Sequence, residues 1–382
     1  MTLSQARPGY LLLEDGRRFD GRYLGPEPGG TGETVFTTVH TGYQETLTDP
    51  SFAGQIVVMT AAMMGVYGIH AGDEQSRRPW VAGFIVRHLS RRLANTRAVE
   101  SLDAYLVRHG IPTLIGADTR ALTIHIREAG AMRAALVPGE IDPEAARARL
   151  LEEPDMRGRD LASVVSTEAS YELEAIGEDR GLVLCLDYGV KNRSLDLIRA
   201  EGFRVQVIPA STPTATLLEL EPCGLFVSNG PGDPEAVPGA AEKIRAVSDA
   251  GLPIFGICLG NQLIARAFGG SNYKLPYGHR GGNHPVKNLD TGAVEITSQN
   301  HGFAVQADGD EIAGAPELRV THRNLNDDTL EGLAHRERPV FAVQYHPESA
   351  PGPHDSRYLF ERFVDVIAES AKPQVVDTQS PT

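Results

Sequence analysis

The sequence predicts an α/β protein. Its C-terminal part reads as a doubly wound, mostly parallel sheet, preceded by a smaller N-terminal domain of mixed α and β structure. Three observations carry this. From Gly181 onward, short continuous apolar runs alternate with helical segments, the pattern of parallel strands covered on both faces. Residues 10–60 instead hold β-branched runs bounded by Gly, and are followed by segments with clear helix-end signals. Between the two lies a charged stretch of weak periodicity, 153–180. The chain has 382 residues, room for two or three domains at about 100–200 residues each. The expected division is 1–152 for the first domain, 153–180 as a linker, 181–372 for the second domain and 373–382 as a disordered tail.

The first strand, Tyr10–Leu13, runs into a Glu14-Asp15-Gly16 turn; Glu33–Val39 and Gln55–Thr60 are β-branched strands. Ser101 can cap a helix over Leu102–His109 with Gly110 at its exit, and Asp118 one over Thr119–Ala129 with Gly130 at its exit. A third helix begins at Asp142-Pro143-Glu144, with Pro in the first helical position. In the second half, strands are expected at 182–187, 203–208, 224–228 and 253–257, with helices at 190–200 and near 235–250. Beyond Gly270 the pattern turns β-rich, at 293–298, 318–322 and 340–345. A closing amphipathic helix, Arg357–Ala368, gathers Leu359, Phe360, Phe363, Val364 and Ile367 on one side.

Composition excludes several classes. Lys+Arg is 36 and Asp+Glu 50, a net charge of −14, which argues against binding nucleic acid or an anionic membrane. Lys occurs only at 191, 243, 274, 287 and 372, a bias read as genomic. Three cysteines without a CxxC pair make neither a disulfide framework nor a zinc site, and fit a reducing cytoplasm. The N-terminus has no apolar run of signal-peptide length. Pro50–Gly72 is uncharged and long enough to span a bilayer, but its polar residues, its glycines and its flanking Asp49 and Asp73 mark a buried strand entering a Gly-rich loop. There is no P-loop, no dinucleotide fingerprint and no His-Glu-x-x-His. His279, His284 and His354-Asp355 match no familiar metal-ligand spacing, so no metal is expected.

The strongest chemical signal is Gly256-Ile-Cys258-Leu-Gly260 at the end of an apolar strand. Gly-x-Cys-x-Gly is the thiol counterpart of the Gly-x-Ser-x-Gly nucleophile turn. The glycines leave room for a tight strand-to-helix turn, which lifts the sulfur above the sheet edge and aims a helix N-terminus at it. Free cysteines are more often buried core residues, and Cys185 and Cys223, without flanking glycines, are read that way. A thiol nucleophile needs a base, and His346-Pro347-Glu348 follows a predicted strand. Residues two apart in extended chain point the same way, so Glu348 can orient the His346 imidazole. Ser228-Asn-Gly230-Pro-Gly232 follows another strand, and its backbone N–H groups, with that of Leu259, can line an oxyanion pocket.

Together these motifs resemble the class I, triad-type glutamine amidotransferases. The resemblance narrows to the small, glutamine-hydrolysing subunits of carbamoyl-phosphate synthase through SNGPGDP (228–234), GICLGNQL (256–263), GGNHPVK (281–287), QNHGFAV (299–305) and HPESAPGPHD (346–355). In the N-terminal half it rests on LEDG (13–16), TGYQETLTDPSF (41–52) and DTRALT (118–123). The resemblance implies a class I amidotransferase fold for the second domain, with Cys258 as nucleophile, His346 as base and Glu348 as its orienter. Glutamine would be held by Ser51, Gly230, Gly232, Leu259, Gln262, Asn300, Gly302 and Phe303. It further implies a heterodimer, or a higher oligomer, with a large subunit that uses ATP, Mg²⁺ and bicarbonate to make carbamoyl phosphate for pyrimidine and arginine biosynthesis; this chain would hold no cofactor. An amidotransferase serving guanylate or anthranilate synthesis would lack the N-terminal domain, and a non-catalytic scaffold would not need an intact Cys258, His346 and Glu348. The chain departs from the family at Asn261, where many relatives have His, at 37–40, at 61–68 and in the order Asn192-Arg193.

Overall fold

A computed structural model describes residues 5–139 and 141–371. The tail read as disordered lies outside the described residues. The N-terminal half forms a closed seven-stranded barrel from β1 (Arg7–Leu13), β2 (Arg18–Leu24), β3 (Gly30–Thr37), β4 (Gln55–Met59), β5 (Gly83–Val86), β6 (Thr113–Ile115) and β7 (Met132–Pro138), in the order β1-β2-β6-β5-β4-β3-β7. Helices α1 (Tyr43–Thr48), α2 (Leu102–Arg108), α3 (Thr119–Ala129) and α4 (Pro143–Glu152) pack around it. Strand alternation sorts the core. Leu11, Leu13, Ile56, Val58 and Leu114 cluster with Leu122 and Ile126 of α3, whereas Val57, Met59 and Phe84 meet Leu47 of α1 and Leu106 of α2. The expected caps form: Ser101, Asp118 and Asp142 side chains accept from the backbone N–H of Ala104, Ala121 and Ala145. The sequence reading anticipated mixed structure here but not a barrel. Closure pairs β1 with β7, more than a hundred residues apart, and no local pattern encodes that pairing.

The segment read as a linker is partly structured. It carries a short helix, α5 (Ala162–Val165), and an edge strand, β8 (Tyr171–Leu173), which pairs antiparallel with the sheet. That sheet has ten strands. They are β8, β9 (Leu182–Asp187), β10 (Arg204–Pro209), β11 (Gly224–Val227), β12 (Ile254–Ile257), β13 (Asn272–Asn288), β14 (Val294–Val305), β15 (Leu318–Asn324), β16 (Leu330–His335) and β17 (Val340–Val343). Their order is β8-β10-β9-β11-β12-β17-β16-β15-β13-β14. The five strands β10, β9, β11, β12 and β17 are parallel, and the others are antiparallel. The doubly wound part is therefore half of a mixed sheet. On one face lie α6 (Asn192–Ala200) and α10 (Tyr358–Ser370); on the other lie α7 (Thr214–Glu219), α8 (Ala240–Asp249) and α9 (Leu259–Ala267). Among the described residues no helix is long and apolar enough to cross a membrane. Pro50–Gly72 contains β4 and a turn-rich loop, as the sequence indicated.

The strand order positions the site. β9, β11, β12 and β17 are successive neighbours, all parallel, so their C-terminal ends open on one edge. The chain leaves β9 in opposite directions to reach β10 and β11, which makes a crevice at that edge. The long hairpin β13–β14 breaks register between Lys274 and His279 and again between Gly281 and His284. Such bulges bend strands, and the bent hairpin brings Asn300 over the end of β12.

Phe255 of β12 anchors the face beneath α10. Its ring stacks on Phe341 at 4.6 Å and meets Phe360 and Phe363 at 5.6 and 5.7 Å. Phe255→Ala should destabilise the protein by about 3–5 kcal/mol through lost burial and the cavity left behind. Chemical denaturation would measure this, with little change expected in the barrel's spectroscopic signals if the two halves unfold separately.

Candidate active site

Cys258 stands between β12 and α9 with φ 56° and ψ −104°, a backbone conformation rare for any residue but Gly. Its N–H donates to the Val343 carbonyl of β17 at 2.8 Å, which holds the turn to the neighbouring strand. Both flanking glycines are needed for space. A Cβ on Gly260 would collide with the Val227 carbonyl, and one on Gly256 with Ile264 and the Gly260 backbone. The Cys258 Sγ lies 3.6 Å from the Asn300 carbonyl. Cys185 is a fully buried core residue and Cys223 is half-buried, and neither lies on such a turn.

The end of β17 brings His346 and Glu348 together. His346 Nδ1 is 2.7 Å from Glu348 Oε1, and both side chains are buried. The sequence reading missed a third member. Lys191, beyond the end of β9, places its Nζ 2.9 Å from the same Glu348 oxygen, with both side chains almost wholly out of water. Burial alone would lower the lysine and raise the glutamate. The reciprocal charges win, so Lys191 is held above its ordinary pKa and Glu348 well below the carboxylate range, with His346 adding to the latter. Burial also disfavours a charged His346, but the Glu348 carboxylate and the Cys258 sulfur outweigh it and push the imidazole to about 10. Among the described residues His346 Nε2, the nitrogen facing away from Glu348, has no hydrogen-bond partner beyond the Cys258 sulfur.

In front of this array is a cavity lined from both halves of the chain. Ser51, Gly230, Gly232, Gln262, Asn300, Gly302 and Phe303 line it with Cys258. Leu259, a predicted glutamine contact, is not among the lining residues; its side chain is buried against Gly230. Gly230 approaches Tyr188 so closely that a Cβ would strike that carbonyl, and Gly232 has φ 90°. Gln262 donates to the Phe303 carbonyl at 2.8 Å. Asn261, the departure from the family pattern, bonds the Gln344 side chain at 3.2 Å, away from the cavity lining. The seam between the halves is polar and paired: Asn229 donates to Ser51 Oγ at 2.9 Å, and Asn300 to Asp49 at 3.1 Å. Asp49 in turn caps the short turn that carries Ser51. The lining also includes Glu33, Gln55, Arg280 and His301, which sequence reasoning did not select.

Behind the lining, His279 donates from Nε2 to Asp327 at 2.8 Å, and its Nδ1 is 3.5 Å from Glu331, too long for a well-formed bond. His301 donates from Nδ1 to the Phe303 carbonyl at 2.7 Å, and burial keeps it neutral, well below its ordinary pKa. Donor atoms of His279, His301 and Glu331 lie within 4.8 Å of one another, the described side chains nearest to a metal-binding set. A tetrahedral zinc, about 2.1 Å from each ligand, wants them about 3.4 Å apart. As it stands the group reads as an imidazolium between two carboxylates. Although burial lowers it, the hydrogen bond to Asp327 and the charges of Asp327 and Glu331 raise His279 to about 9.

Two outcomes follow from these charges. Lys191→Met should leave the buried Glu348 with His346 as its remaining cationic partner and cost about 3 kcal/mol, measurable by denaturant melts. His279 has a raised folded-state pKa, so its contribution to stability is complete below about pH 6.5 and is lost as pH rises through about 9. Between pH 7 and 9.5 the parent should therefore lose more stability than a His279→Gln variant does, by about 1–3 kcal/mol. Parallel pH-dependent melting curves for the two would check it.

Residues 184–366 match the glutamine amidotransferase class-I family, and residues 11–136 match the carbamoyl-phosphate synthase small chain, CPSase domain. Proteins named carbamoyl phosphate synthase small chain from Streptomyces coelicolor and Syntrophotalea carbinolica are 46% and 47% identical to this chain. These matches cover 94% and 95% of this chain, and 96% and 99% of theirs. One from Thermus thermophilus is 45% identical over 94% of this chain and 92% of its own. The first match takes in β9 to most of α10 and the second takes in the barrel, so the two halves of the fold are the two halves of the similarity. The chain belongs to the carbamoyl phosphate synthase small chain family and carries a class-I glutamine amidotransferase domain in its C-terminal half.

Proposed function

We propose that this chain is the glutaminase subunit of a carbamoyl-phosphate synthase. The observation that carries the reading is the His346–Glu348 contact of 2.7 Å behind a cysteine held at a strained strand-to-helix turn, at the mouth of a two-walled cavity. His346, raised by Glu348 and the Cys258 sulfur, carries the proton of the pair, and the Cys258 sulfur attacks the side-chain carbonyl carbon of glutamine. The oxyanion forms against backbone N–H groups of Leu259 and of the 230–232 loop. His346, held by Glu348, passes its proton to the departing nitrogen, which leaves as ammonia and a thioester remains. Water enters, and its oxygen adds to the thioester carbon as His346 takes one of its protons; the tetrahedral adduct then collapses by breaking the carbon–sulfur bond, which releases glutamate, and the proton on His346 restores the starting Cys258–His346 pair. Ser51, Gly230, Gly232, Leu259, Gln262, Asn300, Gly302 and Phe303 hold the substrate.

Ammonia goes to a large subunit in a cytoplasmic heterodimer or higher oligomer. There ATP, Mg²⁺ and bicarbonate supply the rest of carbamoyl phosphate, for pyrimidine and arginine synthesis. This chain contributes no cofactor.

Cys258→Ser should abolish glutamine-dependent synthesis by several powers of ten while leaving ammonia-dependent synthesis by the assembled complex. Equal loss with both nitrogen donors would make Cys258 structural. His346→Asn should be more damaging to the rate than Glu348→Gln, because the imidazole moves protons in both half-reactions whereas the carboxylate orients and stabilises it. Steady-state glutamate release, on variants whose fold has been verified, tests the ranking.

A further inference from the structure

Gln344 directly follows β17 and stands two residues before His346, with its side chain fully buried. It is not among the residues that line the cavity, and the chemistry above gives it no task. Its backbone N–H donates to the Glu331 carbonyl of β16 at 2.8 Å, next to the pairing of Val343 with Gly332, so its backbone is fixed to the sheet. Its side chain reaches the first turn of α9. Gln344 Oε1 accepts from Asn261 Nδ2 at 3.2 Å and from Gln262 Nε2 at 3.1 Å.

The direction of these bonds is fixed from the other side. Gln262 Nε2 also donates to the Phe303 carbonyl of β14 at 2.8 Å. A backbone carbonyl only accepts, so the Gln262 nitrogen, and not its oxygen, faces Phe303. The second hydrogen on that nitrogen needs an acceptor, and Gln344 turns its oxygen to meet it. This has a cost: Gln344 Nε2 is left as a buried donor with no partner among the described residues. A buried donor without a partner is destabilising, so what this amide contributes is its oxygen. One nitrogen, Gln262 Nε2, thus joins three elements: α9, which begins beside the thiol; β14, which carries Asn300 and Phe303; and the end of β17, which leads to His346.

We infer that Gln344 is a positioning residue for the glutaminase site. By accepting at Gln262 it fixes the orientation of that amide, and it sets the first turn of α9 against the strand end that presents the base. The inference rests on the glutaminase reading and adds to it a residue outside the cavity on which a substrate-holding side chain depends.

The test is a double-mutant cycle on the full chain assembled with its large partner: Gln262→Met, Gln344→Met and both together. Gln344→Met, which keeps the length of the side chain and removes the oxygen, should raise KM for glutamine about 5–10-fold, as expected for a lost buried hydrogen bond, and leave kcat within about twofold. Added to Gln262→Met, the same change should raise KM by less than about twofold more, because losses at residues that share one bond do not add. Gln344→Glu, which keeps an accepting oxygen in place, should stay closer to the parent KM than Gln344→Met does. Ammonia-dependent synthesis should be the same in the parent and every variant. KM losses that multiply in the double variant, a Gln344→Glu enzyme as impaired as Gln344→Met, or an equal loss of glutamine- and ammonia-dependent synthesis would show that Gln344 only supports the fold, and would overturn the assignment. A parent complex that releases no glutamate from glutamine would strike the glutaminase reading itself; release by the parent together with multiplying losses would strike this assignment alone.

Discussion

A lysine ammonium and a glutamate carboxylate, 2.9 Å apart and both out of water, set the terms for this site. Taking two such charges from water is expensive, and the cost is recovered only when geometry is good and each partner's remaining capacity is used. Here Glu348 also receives His346, so one carboxylate oxygen serves two cationic groups. The arrangement exists because β9 and β17 are parallel and their C-terminal ends share an edge, with β11 and β12 between them. The same edge carries the 228–234 loop after β11 and Cys258 after β12. Any shift of β17 against β12 would move the imidazole away from the sulfur, and the Cys258 N–H bond to Val343 ties those two strands at the critical point.

The second constraint is that the cavity has no floor without the barrel. Ser51, Glu33 and Gln55 come from the N-terminal half, whereas Cys258, Gln262 and Asn300 come from the C-terminal half. The seam is held by directional contacts, Asn229 to Ser51, Asn300 to Asp49 and Lys274 to Glu33, more than by an apolar face. Hydrogen bonds of this kind fix relative position closely, and reaction rates respond steeply to position.

The sparse lysines take on a new meaning in three dimensions. A codon bias toward Arg explains the surface, yet Lys191, Lys243 and Lys274 have side chains largely removed from solvent. Each points its ammonium at a defined oxygen, on Glu348, the Ala210 carbonyl and Glu33 respectively. A compact point charge fits such places where a planar guanidinium with five donors would leave several unsatisfied. Rarity of a residue type was thus a usable signal for buried function, but only the structure says which oxygen each one meets.

By itself the sequence determined everything that consecutive residues can encode. Gly-x-Cys-x-Gly dictates its own turn, because Gly256 and Gly260 are needed for clearances within one strand-turn-helix unit. His346 and Glu348 meet because residues two apart in extended chain share a side. The helix caps at Ser101, Asp118 and Asp142 are equally local. Tertiary structure decided what depends on distant pairing: closure of the barrel through β1 and β7, recruitment of β8 from an apparent linker, and the bend of β13–β14 over the thiol. It also decided the meetings of Lys191 with Glu348 and of Lys274 with Glu33, and the gathering of residues from both halves around one cavity. Those contacts join residues tens to hundreds of positions apart, and their energies come from exclusion of water, which exists only once the chain has closed around them.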